Sequence, residues 1–186
     1  TTEEAFNLLE NLLRWTRNQN GKTKIYATLF NLTPVARQVV SLFSAIANAK
    51  EIELINRIEG KFDIFADEDM IKTVLRNLIS NAIKFTYTGG QVELSLADSG
   101  DYWTIYVKDN GKGIPKDLQA HLLKSDEYIT TYGTHNEKGS GLGLILCRDF
   151  IRMNKGKLHF YSQEGIGTTF YFTIPKASSS AEAVSR

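Results

Sequence analysis

LRNLISNAIKFT, residues Leu75 to Thr86, decides the fold of this chain. Val74, Leu75, Leu78, Ile79, Ala82 and Phe85 recur every three or four residues and predict an amphipathic helix. The start signal lies just upstream: Asp67 is suited to cap the helix, and Glu68 and Asp69 suit the positive end of its dipole. The polar residues are the odd feature. Asn77 and Asn81 are four apart and Lys84 follows three later, so all three leave one side of the helix. Asparagine is a mediocre helix former because its amide competes for backbone groups. Two readings fit this side. It is a solvated polar face, or two amide oxygens and an ammonium converge on a metal ion and its phosphates. Oxygen ligands suit magnesium, and a lysine suits an anion.

Upstream of this helix, Asp63 to Ala66 reads as a short strand entered from a Gly60-Lys61 turn. Glu51 to Ile58 alternates Ile52, Leu54 and Ile58 with charged positions, as a half-buried strand does. A further helix is expected to about Ala49, with Thr33 as cap and Pro34 at its first position, after a strand at Leu29 to Leu32. Residues 1 to about 19 predict a helix with two apolar stripes, Phe6, Leu9, Leu13 and Leu8, Leu12, Trp15. That face is too wide for a lone surface helix and should pack on something. Lys22 to Thr28 reads as a linker. Gly21 to Thr23 spells the end of a phosphate-loop motif, but Thr16 stands where its first glycine is required, so the motif is rejected.

Downstream, Gly89-Gly90 turns the chain into two alternating strands, Val92, Leu94, Leu96 and Trp103, Ile105, Val107, with a hairpin at Asp98-Ser99-Gly100. A long, weakly apolar stretch from about 113 to 138 suits a functional lid. Ser140 to Met153 predicts a helix. Lys157 to Tyr161 and Thr168 to Ile174 predict strands around a turn at Glu164 to Gly167. Residues 177–186 are small and polar, as in a disordered tail. Several neighbouring strands are joined by tight turns although helices intervene elsewhere, so the sheet should be mixed.

Composition excludes several classes. With 186 residues the chain can build one full core. A net charge of +1 and 23% charged residues exclude a strongly basic nucleic-acid binder and a disordered chain. Cys147 is the single cysteine, which excludes a disulfide scaffold and a cysteine zinc site and fits a reducing compartment. No apolar run approaches the ~20 residues of a membrane span, and no signal peptide opens the chain. Thr1 in place of methionine suits a piece of a longer protein.

Three glycine clusters carry candidate chemistry. DNGKGI, Asp109 to Ile114, follows a strand. It is an ordinary Asp-Asn-Gly turn, or it presents the Asp109 carboxylate in a pocket to the exocyclic amine of adenine, with Gly111 and Gly113 letting the backbone approach a flat ring. GSGLGL, Gly139 to Leu144, opens a helix. It is a hinge, or its backbone N–H groups wrap an anion with help from the helix dipole. GIGTTF, Gly165 to Phe170, is a hairpin turn whose Thr168 can add a hydroxyl near the base.

The order of these motifs resembles the ATP-binding domain of the gyrase, heat-shock chaperone, histidine kinase and MutL superfamily, and NLISNAIKFT resembles sensor histidine kinases most closely. The resemblance covers about Leu29 to Pro175. It implies a Bergerat-type α/β (α+β) two-layer sandwich, a mixed, mostly antiparallel sheet packed on about three helices, with an N-terminal helical stub. It divides the chain into residues 1–20 (end of a second dimerisation helix), 21–28 (linker), 29–176 (catalytic ATP-binding domain) and 177–186 (tail). The resemblance further implies that Asn77, Asn81 and Lys84 are catalytic, Asn81 binding magnesium and Lys84 contacting phosphate. Asp109 would read adenine N6 beside Gly111, Gly113 and Thr168. Lys138, Gly139, Gly141, Leu142 and Gly143 would bracket the phosphates of ATP.

Hydrolysing relatives place a glutamate at the position of Asn77, and an amide has no proton-accepting function at neutral pH. This fits transfer of the γ-phosphoryl of Mg-ATP to a nucleophile supplied elsewhere. The family's acceptor-histidine motif does not surround His121, His135 or His159, so the acceptor is expected on a dimerisation domain of the same parent. The parent is expected to be a bacterial homodimeric phosphoprotein that passes phosphate to a response-regulator receiver. This fragment would be its cytoplasmic domain, with the anchor, if any, in the inner membrane, and would contact neither membrane nor nucleic acid. The lid reads LLKSDEYITTYG, with Leu123 where relatives carry phenylalanine and no arginine before Gly139, leaving Lys138 and His135 to face the γ-phosphate. The competing class is a nucleotide-binding regulatory or interaction module with little kinase activity.

Overall fold

The architecture comes from a computed structural model that describes residues 23–124, 133–135 and 142–177, with isolated positions between 6 and 21. Among them the order is β1 (Thr28–Asn31), α1 (Leu32–Ala49), β2 (Glu53–Asn56), β3 (Asp63–Ala66), α2 (Glu68–Phe85), β4 (Gln91–Ser99), β5 (Tyr102–Asp109), α3 (Lys116–Gln119), α4 (Gly143–Met153), β6 (Leu158–Gln163) and β7 (Gly167–Pro175). The described positions from 6 to 17 are helical, and Phe6, Leu9, Leu12 and Leu13 among them are exposed. The predicted tail from 178 onward lies outside the described residues.

The helix of the opening motif is α2. Asp67 caps it, its carboxylate accepting from Met70 N. Val74, Leu75, Leu78, Ile79 and Ala82 are buried as their spacing requires, and Ile83 joins them, while Phe85 is only half-buried. Each fully buried aliphatic side chain stabilises the fold by about 1.5–3 kcal/mol. They pack in one core with Leu94 of β4, Ile105 of β5, Ile151 of α4 and Phe172 of β7.

The main sheet has the order β2-β4-β5-β7-β6, with β2 parallel to β4 and the other pairs antiparallel. The parallel pair follows from the crossover through β3 and α2, and the antiparallel pairs follow from hairpins. β1 and β3 form a separate antiparallel pair. One face of the main sheet carries the helices. On the other face, His159, Tyr171 and Tyr106 stack across three strands with ring centroids 5.2 and 5.5 Å apart.

Some local expectations are corrected. Asn31, not Thr33, caps α1: its side-chain oxygen accepts from Thr33 N and also from Phe62 N. One acceptor thus ends the strand and starts the helix, and Thr33 Oγ1 donates to Gly60 O instead. The β4–β5 strands run through Asp98 and Ser99, so the hairpin turns at Gly100 and Asp101. The first part of the expected lid is folded, with Lys116–Gln119 forming a helical turn and Leu122 and Leu123 packing against the core. Residues 125–132 and 136–141 lie outside the described residues, and α4 is helical from Gly143.

Candidate functional site

One end of the candidate site is built where β5 and β7 end together. Asp109 and Thr168 are directly paired in register, so their side chains leave the same, helix-facing side of the sheet. Asp109 Oδ1 accepts from Gly111 N at 2.9 Å and Thr168 N at 3.2 Å. Its Oδ2 makes no hydrogen bond with a described residue. Asp109 is only 6% exposed. Burial raises its pKa to about 6, against the lowering effect of the two N–H donors. A fixed, partly desolvated acceptor is thus held at a strand end.

The glycines around it are there because backbones cross at close range. A Cβ on Gly111 would meet Phe85 O at 2.1 Å, and one on Gly113 would meet Gln163 O at 2.2 Å. Gly113 also has φ +68, where other residues are strained. Lys112 N donates to Phe85 O, and the Lys112 ammonium lies over the Phe85 ring at 5.3 Å. These contacts seat the loop after β5 against the last turn of α2, next to Lys84.

The other end of the site is where α4 meets α2. Gly143 opens α4, and a Cβ there would lie 2.9 Å from Asn77 Oδ1. Asn77 Nδ2 donates to Thr73 O at 2.8 Å within its own helix, which turns Oδ1 toward Gly143. Among the described residues no side chain caps α4, and the positive end of its dipole faces this junction. Leu142 just before it is buried. Asn81 and Lys84 are half-buried on the same side of α2. Lys138, Gly139 and Gly141 lie outside the described residues.

Sequence reasoning missed the groups that hold α2 in place. Lys50 is 7% exposed, and its Nζ donates to Ile83 O and Lys84 O, each at 3.0 Å. Thr134 N donates to Lys84 O, and Thr134 Oγ1 to Thr86 O at 2.8 Å. His135, expected near phosphate, is exposed and its Nε2 lies 3.0 Å from Thr88 Oγ1. Asn154, after α4, accepts from Asp67 N at the opposite end of α2. A lysine ending one helix gives no sequence sign that it caps another. A serine or threonine flanked by glycine is the only available hint for Thr134.

The chain is similar to known proteins of one family. A family model described as histidine kinase-, DNA gyrase B-, and HSP90-like ATPase matches residues 66–178. The adaptive-response sensory kinase SasA of Crocosphaera subtropica is 30% identical over 170 residues, covering 90% of this chain and 44% of that protein. The chain therefore spans less than half the length of this curated relative. Among solved structures, the catalytic domain of histidine kinase ThkA is 31% identical with a TM-score of 0.69, covering 81% of this chain and 96% of that one. ThkA in complex with the response regulator protein TrrA is 26% identical with a TM-score of 0.69, covering 96% of this chain and 52% of that chain.

Proposed function

Since the chain belongs to the histidine kinase-, DNA gyrase B-, and HSP90-like ATPase family, with the fold of a histidine kinase catalytic domain, we propose that it passes the γ-phosphoryl of Mg-ATP to a histidine on a dimerisation domain of its parent. The observation that carries this is the amide of Asn77 where the N-terminus of α4 meets α2. A carboxylate there would take a proton from attacking water. An amide takes none, so the site positions phosphates for a nucleophile brought from outside.

The donor set fits magnesium carried on phosphates. Among the described residues no three His, Cys, Asp or Glu side chains lie together as a metal cage. Magnesium keeps several waters and needs few protein oxygens, and the Asn81 amide offers one. When bound, it neutralises phosphate charge. The chain's own residues do the rest. The uncapped N–H groups of α4 bind phosphate oxygens, Lys84 balances their charge, and Asp109 Oδ2 accepts from the base's exocyclic amine. The fixed carbonyls of Ile83 and Lys84 hold the last turn of α2, and with it Lys84, in register with the β5 loop.

In the parent, the same reading pairs two copies through their dimerisation helices and passes the phosphoryl group to a receiver domain. No helix among the described residues is long and apolar enough to cross a membrane. We assign the domain to the cytoplasmic side of its parent. Incubation with labelled ATP, magnesium and a separately purified dimerisation domain tests the reading. Acid-labile, base-stable label on that domain's histidine is expected, with none on His121, His135 or His159. Nucleotide binding with no transfer to any histidine would replace the kinase reading with that of a regulatory module.

A further inference from the structure

We propose that Arg76 grips the γ-phosphoryl group of ATP and holds its charge during transfer. This deepens the kinase reading above and rests on it. The order of groups along α2 sets the place. The β5 loop and Lys84 lie at its last turn, Asn81 one turn back and Asn77 a turn before that. α4 runs antiparallel beside it: Gly143 lies against Asn77, Cys147 Sγ lies 3.8 Å from Val74 O, and Asn154 accepts from Asp67 N. A nucleotide with its base at Asp109 and its phosphates at the start of α4 therefore ends near Asn77. Position 76 alone would leave the helix about 100° around from Asn77. The Arg76 side chain instead folds back one turn, and its Nη2 donates at 3.3 Å to Oγ1 of Thr73, which stands on the same side of α2 as Asn77. The guanidinium thus lies just past the end of the phosphate chain.

Thr73 braces both residues. Its Oγ1 accepts from Arg76, and its carbonyl accepts from Asn77 Nδ2 at 2.8 Å. Thr73 is itself buried, so the brace is fixed. The contact uses one of the five N–H donors of the guanidinium. Among the described residues that group makes no other hydrogen bond and no ion pair. Arg148 of α4 is the contrast: its Nε and Nη2 are spent on Asp149 and its Nη1 on Leu123 O. Arg76 is half-buried. A partly desolvated cation with no carboxylate beside it keeps its attraction for an anion, and its planar fork matches two phosphate oxygens at once.

The transfer itself needs such a group. A nitrogen lone pair of the acceptor imidazole forms the new N–P bond, and the bond from phosphorus to the β–γ bridging oxygen breaks, its electron pair leaving on ADP. The imidazole releases its remaining ring proton to solvent. The non-bridging oxygens of the γ group stay charged throughout, while the group moves away from the β-phosphate. Lys84 and Asn81 stay behind with ADP. A guanidinium past Asn77 stays with the departing group and balances its charge. Arg76 is thus a catalytic residue that acts on the terminal phosphoryl alone, and ADP offers it nothing to hold.

Calorimetric titration of the chain in magnesium with ADP and with the non-hydrolysable β,γ-imido analogue of ATP tests this. Arg76→Met keeps an unbranched stem over Thr73 and removes the charge. It should weaken the analogue about ten- to hundredfold, the worth of one charge-assisted contact, and leave ADP within about twofold. Arg76→Lys keeps the charge without the fork and should fall between Arg76→Met and the parent. Labelled transfer to the dimerisation domain at saturating ATP should slow by a similar factor in Arg76→Met. Equal weakening of both nucleotides marks a packing role and would overturn the inference. So would an analogue affinity or a transfer rate that does not change. A parent chain that binds both nucleotides equally tightly would overturn the inference and leave the nucleotide reading standing, whereas a parent that binds neither would remove that reading itself.

Discussion

The two ends of the site are held by different materials. At the Asp109 end, backbone lies against backbone: Gly111 on Phe85 O, Gly113 on Gln163 O, and Gly167 on Asp109 O. At the Asn77 end, Gly143 lies against a side chain, the amide of Asn77. A main-chain carbonyl inside a hydrogen-bonded fold cannot move aside without breaking that fold, whereas an amide can rotate. On the proposed reading, a flat, rigid base would meet a fixed mould, and a flexible triphosphate would meet groups that adjust. The contrast shows that glycine means different things at the two ends. In the β5 loop and at the start of β7 it permits the fold to close, and at the start of α4 it leaves room beside the Asn77 amide, which on the proposed reading a ligand enters.

The sharpest way to break this contrast is Gly111→Ala. Its methyl would overlap the Phe85 carbonyl, and we expect about 3 kcal/mol of lost stability, read from the denaturant midpoint. Loss of less than about 1 kcal/mol would mean that the mould is not fixed.

Asp109→Asn tests the same end through charge. Folding raises the Asp109 pKa from its ordinary 3.8 to about 6 because burial penalises the carboxylate. The stability this group contributes is therefore full below about pH 4 and is lost as pH rises through 6. The shift corresponds to roughly 3 kcal/mol at most. The asparagine keeps an oxygen for Gly111 N and Thr168 N and carries no charge. Relative to the parent, Asp109→Asn should therefore gain stability between pH 4 and pH 7 while losing its preference for ADP over GDP. A difference in stability that stays flat across that range would contradict the burial argument. ADP affinity of the parent should likewise fall below pH 6, where the acid form donates to a base edge that also donates.

Smaller effects sharpen the comparison further. Thr134→Val removes the hydroxyl that bonds to Thr86 O and leaves the Thr134 N–H in place, so thermal unfolding should register a loss of about 1 kcal/mol. Gly143→Ala should change stability least. Alanine favours the helix by up to about 1 kcal/mol, and displacing the Asn77 amide offsets part of that. Its consequence should appear in ligand binding, with affinity for Mg-ATP falling more than affinity for ADP. A stability loss as large as that of Gly111→Ala would erase the distinction between the two ends.

Much of this is legible in the sequence. The helix Glu68–Phe85 announced itself because cap, dipole charges and apolar period all agree at one place. Asp109 stood out because a strand that ends in Asp-Asn-Gly must turn. What stayed hidden depends on register and on distant partners. Ser162 sits in a strand, and only the β6–β7 pairing reveals that it faces Thr168. Lys50 looks like a solvated lysine until the fold brings it to carbonyls more than thirty positions away. The cap of α1 is ambiguous in the sequence because Asn31 and Thr33 are both good capping residues, and the fold selects the one that also reaches Phe62 N.

The place of β7 in the sheet has a consequence for synthesis. It is the last strand in the described chain, yet it lies between β5 and β6. A ribosome delivers the N-terminus first, so β4 and β5 emerge with the Asp109 carboxylate long before the strand that fixes it. Nascent chains stalled before Pro175 has left the exit tunnel should bind no immobilised ADP, and chains stalled well beyond it should bind. Throughout that interval the exposed edge of β5 has no partner of its own, which makes it the segment that a chaperone would need to cover.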